Sequence, residues 1–426
     1  MDTRIEEHLD VFIDRSVLHD ENGETIYLEG NQSAEAQARY SAINSALSGG
    51  YLSTLYDDLD SIDLSELSEK NRTLLKKLVD GVTSEVGRAL VGVAFLQLTI
   101  KSITPQQSVR LHKGSVRNGS FSWQDGISMR TIDSNHTTPF LRAKGLLNVN
   151  SFGVFMTRSL AENYPYSKLY KAEMRGPFNE WIAIVDAIED NSLPPKLGLC
   201  FLMNLLKNRS DNFKRISGKA ISLLDNHKDD NFSTIKSMLT RFFNGTEYSA
   251  RAFEVVMHSF MQAMQEMGFL GDSSVVPLSQ MRSANKKHGN IGDIELAEGG
   301  DIIESWDAKY GKPYLRDELE ELNDKIQTAT GVKTAGFVVE QTPDRRKEIT
   351  DRAEDISLST GVEIKILSFD EWVDSFTGAI SSLQLDLLGV HWLTAVVESF
   401  GQKRPDIAPI DEPCDAWVND LIKVLE

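Results

Sequence analysis

The spacing of apolar positions changes character along the chain, and the changes divide it. From Ser68 to Lys101, Leu74, Leu75, Leu78, Val82, Val86, Leu90, Val91, Val93, Ala94 and Leu96 recur at helical spacing and predict a buried helix. Residues 1 to about 100 read as largely helical, with the acidic stretch Asp57–Glu66 as a solvated face. A helical array follows over residues 150–270, with candidates at Val154–Asn163, Phe178–Glu189, Lys196–Leu206, Ser217–Asn226, Asn231–Asn244 and Ser249–Met267. Met257, Met261, Met264 and Met267 form a stripe that reads as core. The period then shortens. Ile291–Leu296 and Ile302–Trp306 hold β-branched, aromatic and apolar residues around Ala297-Glu298-Gly299-Gly300, which predicts a hairpin with glycines at positive φ. After it come a helix over Leu315–Thr328, an apolar strand over Thr334–Val339, a polar helix over Pro343–Ser359 and a strand over Glu363–Leu367. Leu383–Phe400 and Cys414–Leu425 read as closing helices.

The hairpin carries the candidate chemistry. Asp293 lies on its first arm, and Asp307 and Lys309 lie two residues apart on its second. Side chains at i and i+2 of a strand share a face, so pairing of the arms brings two carboxylates and an ammonium together. Carboxylates that converge at a strand end suit a hard divalent cation. A lysine beside them can stabilise developing charge on a phosphoryl group or orient a water. Alternating acids and lysines also keep exposed hairpins soluble, so the local pattern admits that reading as well.

Asp293 followed by Asp307-Ala308-Lys309, with the helix and strand behind it, resembles the signature of the PD-(D/E)xK nuclease superfamily and is most like a type II restriction endonuclease. The resemblance covers roughly residues 285–375, and Gly292 stands where many members have proline. It implies an α+β fold: a mostly helical N-terminal region, then a mixed-sheet restriction-endonuclease-like core flanked by helices. It implies Mg²⁺ (Mn²⁺ as a substitute) held by Asp293, Asp307 and the carbonyl of Ala308, with Lys309 beside the attacking water. Glu295, on the face of Asp293, and Glu318, on the following helix, are further candidates; Asp301 is a rival for the first acid, although it falls in the turn. The implied domains are residues 1–280 for DNA recognition, 281–375 for catalysis and 376–426 as helices that pack on the core or dimerise. The implied activity is sequence-specific cleavage of double-stranded DNA, by a homodimer when the target is palindromic, alongside a cognate methyltransferase. The rival readings are a repair or modification-dependent nuclease of the same fold, and a non-catalytic DNA- or protein-binding module.

Composition adjusts this picture little. The net charge of −18 over 426 residues speaks against indiscriminate DNA binding, but binding depends on a local patch. Such a patch is suggested over 105–147, where Arg110, Lys113, Arg117, Arg130, Arg142 and Lys144 outnumber the acids in a segment rich in Ser, Asn, Gln and Gly. An ordinary polar connector anchored by its aromatics reads equally well. Lys286 and Lys287 stand just ahead of the hairpin and extend the cationic set. Two cysteines, Cys200 and Cys414, build neither a zinc site nor a disulfide framework. No apolar run approaches a membrane span and no signal-peptide core opens the chain, so a cytoplasmic location is expected. There is no P-loop, GxGxxG, GxSxG or HExxH motif.

Overall fold

The computed structural model describes residues 7–20, 23–82, 87–115, 119–278, 290–311, 315–403 and 414–426. The fold is mixed α and β, with a three-stranded sheet and a five-stranded sheet. The described residues fall into two compact units, one up to Asn212 and one from Phe213.

The first unit opens with strands where helix was expected. β1 (His8–Val11), β2 (Arg15–Asp20) and β3 (Gly23–Leu28) form an antiparallel meander in that order. Leu18 and Tyr27 on its inner face pack with Leu111 and Trp123. The helices follow: α1 (Ala34–Ser48), α2 (Tyr51–Asp57), α3 (Glu69–Asp80), α4 (Arg88–Ile103), α5 (Met129–Ile132), α6 (Thr138–Ala143) and α7 (Phe178–Glu189). The long helix expected over Ser68–Lys101 is thus two helices. α3 stops at Gly81, and α4 starts after Gly87, whose φ of +99° suits glycine alone. α4 is buried along most of its length, and Gln97 inside it accepts the indole N–H of Trp181 at 2.8 Å. The expected helix Val154–Asn163 is instead two 3₁₀ turns, Val154–Met156 and Arg158–Ala161. α8 (Pro195–Leu223) is one helix where two were expected, and the division between the units falls within it.

The second unit holds the hairpin. Its helices are α9 (Phe232–Gly245), α10 (Ser249–Glu266), α11 (Arg316–Thr328), α12 (Lys347–Thr360), α13 (Phe369–Thr377), α14 (Ser382–Glu398) and α15 (Cys414–Leu425). Its strands are β4 (Ser274–Val275), β5 (Ile294–Glu298), β6 (Asp301–Lys309), β7 (Thr334–Val339) and β8 (Glu363–Ser368), in the spatial order β4-β5-β6-β7-β8. β5 and β6 are antiparallel, whereas β6, β7 and β8 run parallel through α11 and α12. The hairpin turns at Gly299 and Gly300, with φ of +62° and +100°. Ser368 ends β8 and caps α13 in a reciprocal capping box with Glu371.

Strand parity gives the sheet two different faces. Ile294, Leu296, Trp306 and Val338 enter a core with Phe260, Phe369, Trp372, Trp392 and Trp417. Ala335, Phe337 and Val339 point the other way, against Leu319, Leu322 and Ile326 of α11 and Ile349, Ala353 and Ile356 of α12. The sheet is therefore covered on both sides, as parallel strands require. Met257, Met261 and Met264 are buried in the first of these cores, so the methionine stripe is core.

Candidate active site

The site forms at the carboxyl ends of the parallel strands, where open α/β sheets place their ligands. Trp306 points into the tryptophan-rich core, so Asp307 and Lys309 point to the opposite face, toward α11. Asp307 is 7 % exposed although it is a carboxylate, which marks it as a group that needs a specific partner. Lys309 supplies one, with Nζ 3.2 Å from Asp307 Oδ2. The lysine stem lies over the Phe337 ring of the neighbouring strand, its Nζ 5.6 Å from the ring centre.

Asp293 arrives from the other arm. Its main-chain N–H donates to Trp306 O at 2.9 Å, which extends the β5–β6 ladder past Ile294. Its Oδ2 accepts the Ala308 N–H at 3.0 Å. The two acids and the lysine are thus fixed by main-chain hydrogen bonds as well as by parity. Gly292 makes this approach feasible. A Cβ there would lie 2.6 Å from Ser305 Oγ and 2.9 Å from the Trp306 carbonyl group. A glycine at this position is required by the close passage of the two strands.

The electrostatics follow from crowding. Burial, then the Asp307 charge, push the Asp293 carboxyl up to about 7, against the pull of the Ala308 amide, Lys309 and Arg251. Burial disfavours the Lys309 ammonium, but Asp307 and Asp293 outweigh it, and Glu318 adds to them, so Lys309 is held above the usual lysine range. Lys309 is therefore a fixed cation rather than a base. A pair of acids that repel each other beside that cation is a hard-oxygen donor set, and a divalent cation would relieve the repulsion. The donor chemistry fits Mg²⁺.

An acid that binds its proton more tightly folded than unfolded makes the fold less stable as pH rises between the two values. For Asp293 that window runs from about 4 to about 7. In EDTA, Asp293→Asn keeps an acceptor for the Ala308 amide and removes the charge. The variant is expected to melt above the wild type at pH 8 and to match it near pH 4. Melting curves at the two pH values check this; a variant that melts lower at pH 8 contradicts the crowding.

The other candidates are placed as follows. Glu295 is buried, and its Oε1 takes the amides of Ile291 at 2.6 Å and Gly292 at 3.3 Å, so it clamps the loop that presents Asp293. Glu318 is close enough for its charge to act on Lys309. Asp301 opens β6 at the hairpin turn, paired with Glu298, at the far end of the strand from Lys309. Glu304, on the tryptophan face, accepts the Trp306 indole N–H at 2.6 Å. Arg251 of α10 was not anticipated. It acts on Asp293 across the tertiary fold and lies within 3.7 Å of Glu254; no local pattern links it to the hairpin.

The chain matches no family model and no curated protein. The reading of the site therefore stands on its own geometry.

The cations of segment 105–147 are placed in the first unit. Arg110 is largely buried and bonds Tyr166 O and Asp186 Oδ1, each at 2.6 Å. It lines a cavity of about 520 Å³ whose other walls include Asp20, Tyr27, Asp186 and Glu189. Lys113 lies over the Phe121 ring. Lys144 lies over the Tyr56 ring, 3.6 Å from Asp57. Arg130 and Arg142 are exposed, but each donates to a main-chain carbonyl, of Phe155 at 3.0 Å and of Val149 at 2.7 Å. Arg117, Lys286 and Lys287 lie outside the described residues. The aromatics of the segment anchor it: Trp123 is fully buried, and burial pushes His112, stacked on Phe155 and Tyr166, down to about 4.

Proposed function

We propose that this chain is a Mg²⁺-dependent endonuclease acting on double-stranded DNA, with a core of the PD-(D/E)xK kind and closest in type to a type II restriction enzyme. The observation that carries the reading is the meeting of Asp293, Asp307 and Lys309 at the ends of β5 and β6. The strand order supports it: an antiparallel hairpin followed by two parallel strands, with helices on both faces.

In this reading Asp293, Asp307 and the Ala308 carbonyl hold the cation. Bound there, Mg²⁺ would lower the pKa of a water and neutralise phosphoryl oxygens. Lys309, already cationic, stabilises the charge that develops on the phosphoryl oxygens as water attacks. The Asp307 ion pair keeps its ammonium on the site face, and Glu295 holds the loop that delivers Asp293. Arg251 favours the ionised form of Asp293, the form that binds a cation. Water attack on phosphorus would leave 5′-phosphate and 3′-hydroxyl ends. Two strands need two such sites, which a homodimer on a palindromic target supplies. A cytoplasmic enzyme of this kind would work beside a methyltransferase that protects the host sites.

No helix among the described residues is long and apolar enough to cross a membrane.

The reading is tested by digesting a plasmid of known sequence in Mg²⁺ and sequencing the ends. Discrete fragments that share one sequence at their 5′-phosphate ends are expected. Fragments cut without sequence preference would favour a repair-type nuclease. Intact plasmid that is nonetheless bound would favour a non-catalytic DNA-binding module.

A further inference from the structure

The meander that opens the first unit carries a second constellation, far in sequence from Asp293 and Asp307. β1 and β2 pair with His8 opposite His19 and Asp10 opposite Val17. His8 and Asp10 are two apart on β1, so they share a face, and His19 joins them from across the strand. Leu18 and Tyr27 face the core, so this triad is on the outer face.

Its geometry is that of ligands around one point. Asp10 Oδ2 lies 3.3 Å from His19 Nε2 and 3.7 Å from His8 Nε2. The ligand atoms of all three residues lie within 4.8 Å of one another; among the described residues no other group of three His, Cys, Asp or Glu does so. A tetrahedral ion with bonds of about 2.0–2.1 Å sets its ligand atoms about 3.3 Å apart. The imidazoles are stacked, with centroids 4.2 Å apart and planes 10° from parallel. To share one ion the exposed His8 ring must turn out of this stack about its side-chain torsions, so that its in-plane lone pair meets that of His19. His19 also has an orienting partner: its Nδ1 is 3.3 Å from Glu24 Oε1 on β3. A carboxylate on the second nitrogen of a ligating histidine fixes the tautomer that presents Nε2 to a metal.

We propose that His8, Asp10 and His19 bind a divalent transition-metal ion of the Zn²⁺ class, with Glu24 as a positioning residue. Two imidazoles and one carboxylate select such an ion over Mg²⁺, which prefers oxygen donors. Three protein ligands leave a fourth position for water or an exogenous group. The ion also ties β1 to β2 by side chains in addition to their main-chain ladder. The site is independent of the nuclease reading, because it shares no residue with it.

The test is calorimetric titration of the full chain with Zn²⁺ at neutral pH, for the wild type and for His8→Ala, His19→Ala and Asp307→Ala. One Zn²⁺ is expected to bind the wild type and Asp307→Ala alike, and about 100-fold more weakly to both histidine variants. Co²⁺ in place of Zn²⁺ should give the intense visible absorption of a four-coordinate site in the wild type and not in His19→Ala. His8 is exposed, so its replacement leaves the fold intact even if His19→Ala perturbs the sheet. No binding at about 100 μM Zn²⁺ overturns the proposal, as does binding that both histidine variants retain. Loss of binding in Asp307→Ala alone would place the ion at the hairpin and overturn it equally. Failure of DNA cleavage leaves the proposal standing, and its own failure leaves the nuclease reading standing.

Discussion

Lys309→Ala is expected to lower DNA cleavage by about 10²–10³-fold or more while DNA affinity changes by less than about tenfold. Lys309 is held as a cation by Asp307 and Asp293, and its ammonium lies 3.2 Å from Asp307 Oδ2. Removing it leaves the buried Asp307 carboxylate without its cation, and the charge developing on a phosphoryl oxygen without its counterpart. Lys309→Arg is also expected to be impaired, because a planar fork does not replace a compact ammonium that lies over the Phe337 ring beside Asp307. Asp307→Ala should lose activity to a similar extent by removing a hard-oxygen donor. Single-turnover cleavage of a labelled duplex, with parallel binding measurements in Ca²⁺, separates chemistry from affinity. A Lys309→Ala enzyme that cuts at wild-type rate would remove the lysine from the reaction.

The largest expected loss of stability comes from Gly336→Ala. Gly336 lies in β7, paired with Lys365 of β8, and a Cβ on it would fall 2.0 Å from the Lys365 carbonyl oxygen and 2.9 Å from its carbon. Both obstacles are main chain in a strand pair covered on both faces, so neither can swing aside. The strands must separate locally or the peptide must turn, and a loss of about 3 kcal/mol or more is expected. Because β7 also pairs with β6 alongside Asp307 and Lys309, cleavage should fall together with stability. Urea unfolding followed by tryptophan fluorescence measures the effect; Trp306 and Trp372 are buried in the adjoining core. A change within about 0.5 kcal/mol would show that the sheet accommodates a methyl group there.

How much of this was legible in the sequence depended on whether the cause was local. The hairpin was legible because its glycines mark the turn and its arms alternate. The grouping of Asp307 with Lys309 followed from parity, whereas the choice of Asp293 over Asp301 or Glu295 came from the resemblance and not from the spacing. The order of strands and helices after it was legible because turns and period changes punctuate it. The first sheet was not. β1, β2 and β3 are four to six residues long, and exposed Ile26 and Leu28 lie among its polar outer positions, which blurs the alternation. α8 reads as two helices in the sequence because Asn208, Asp211 and Asn212 resemble a break, yet the helix runs through them. Two features were hidden because their causes are tertiary. Arg251 reaches the charge balance of Asp293 from α10. Arg110, which as a sequence position looks free to meet a phosphate, is paired with Asp186, 76 positions away.

The central claim is that the Asp293–Asp307–Lys309 cluster is a metal-dependent cutting centre. The most direct measurement is the conversion of supercoiled plasmid by purified protein in Mg²⁺, in EDTA, and in Mg²⁺ with Lys309→Ala. Nicked or linear DNA in the first sample alone is the predicted result. Equal conversion in all three, or none in Mg²⁺ or Mn²⁺ from a folded protein that binds DNA, would contradict it.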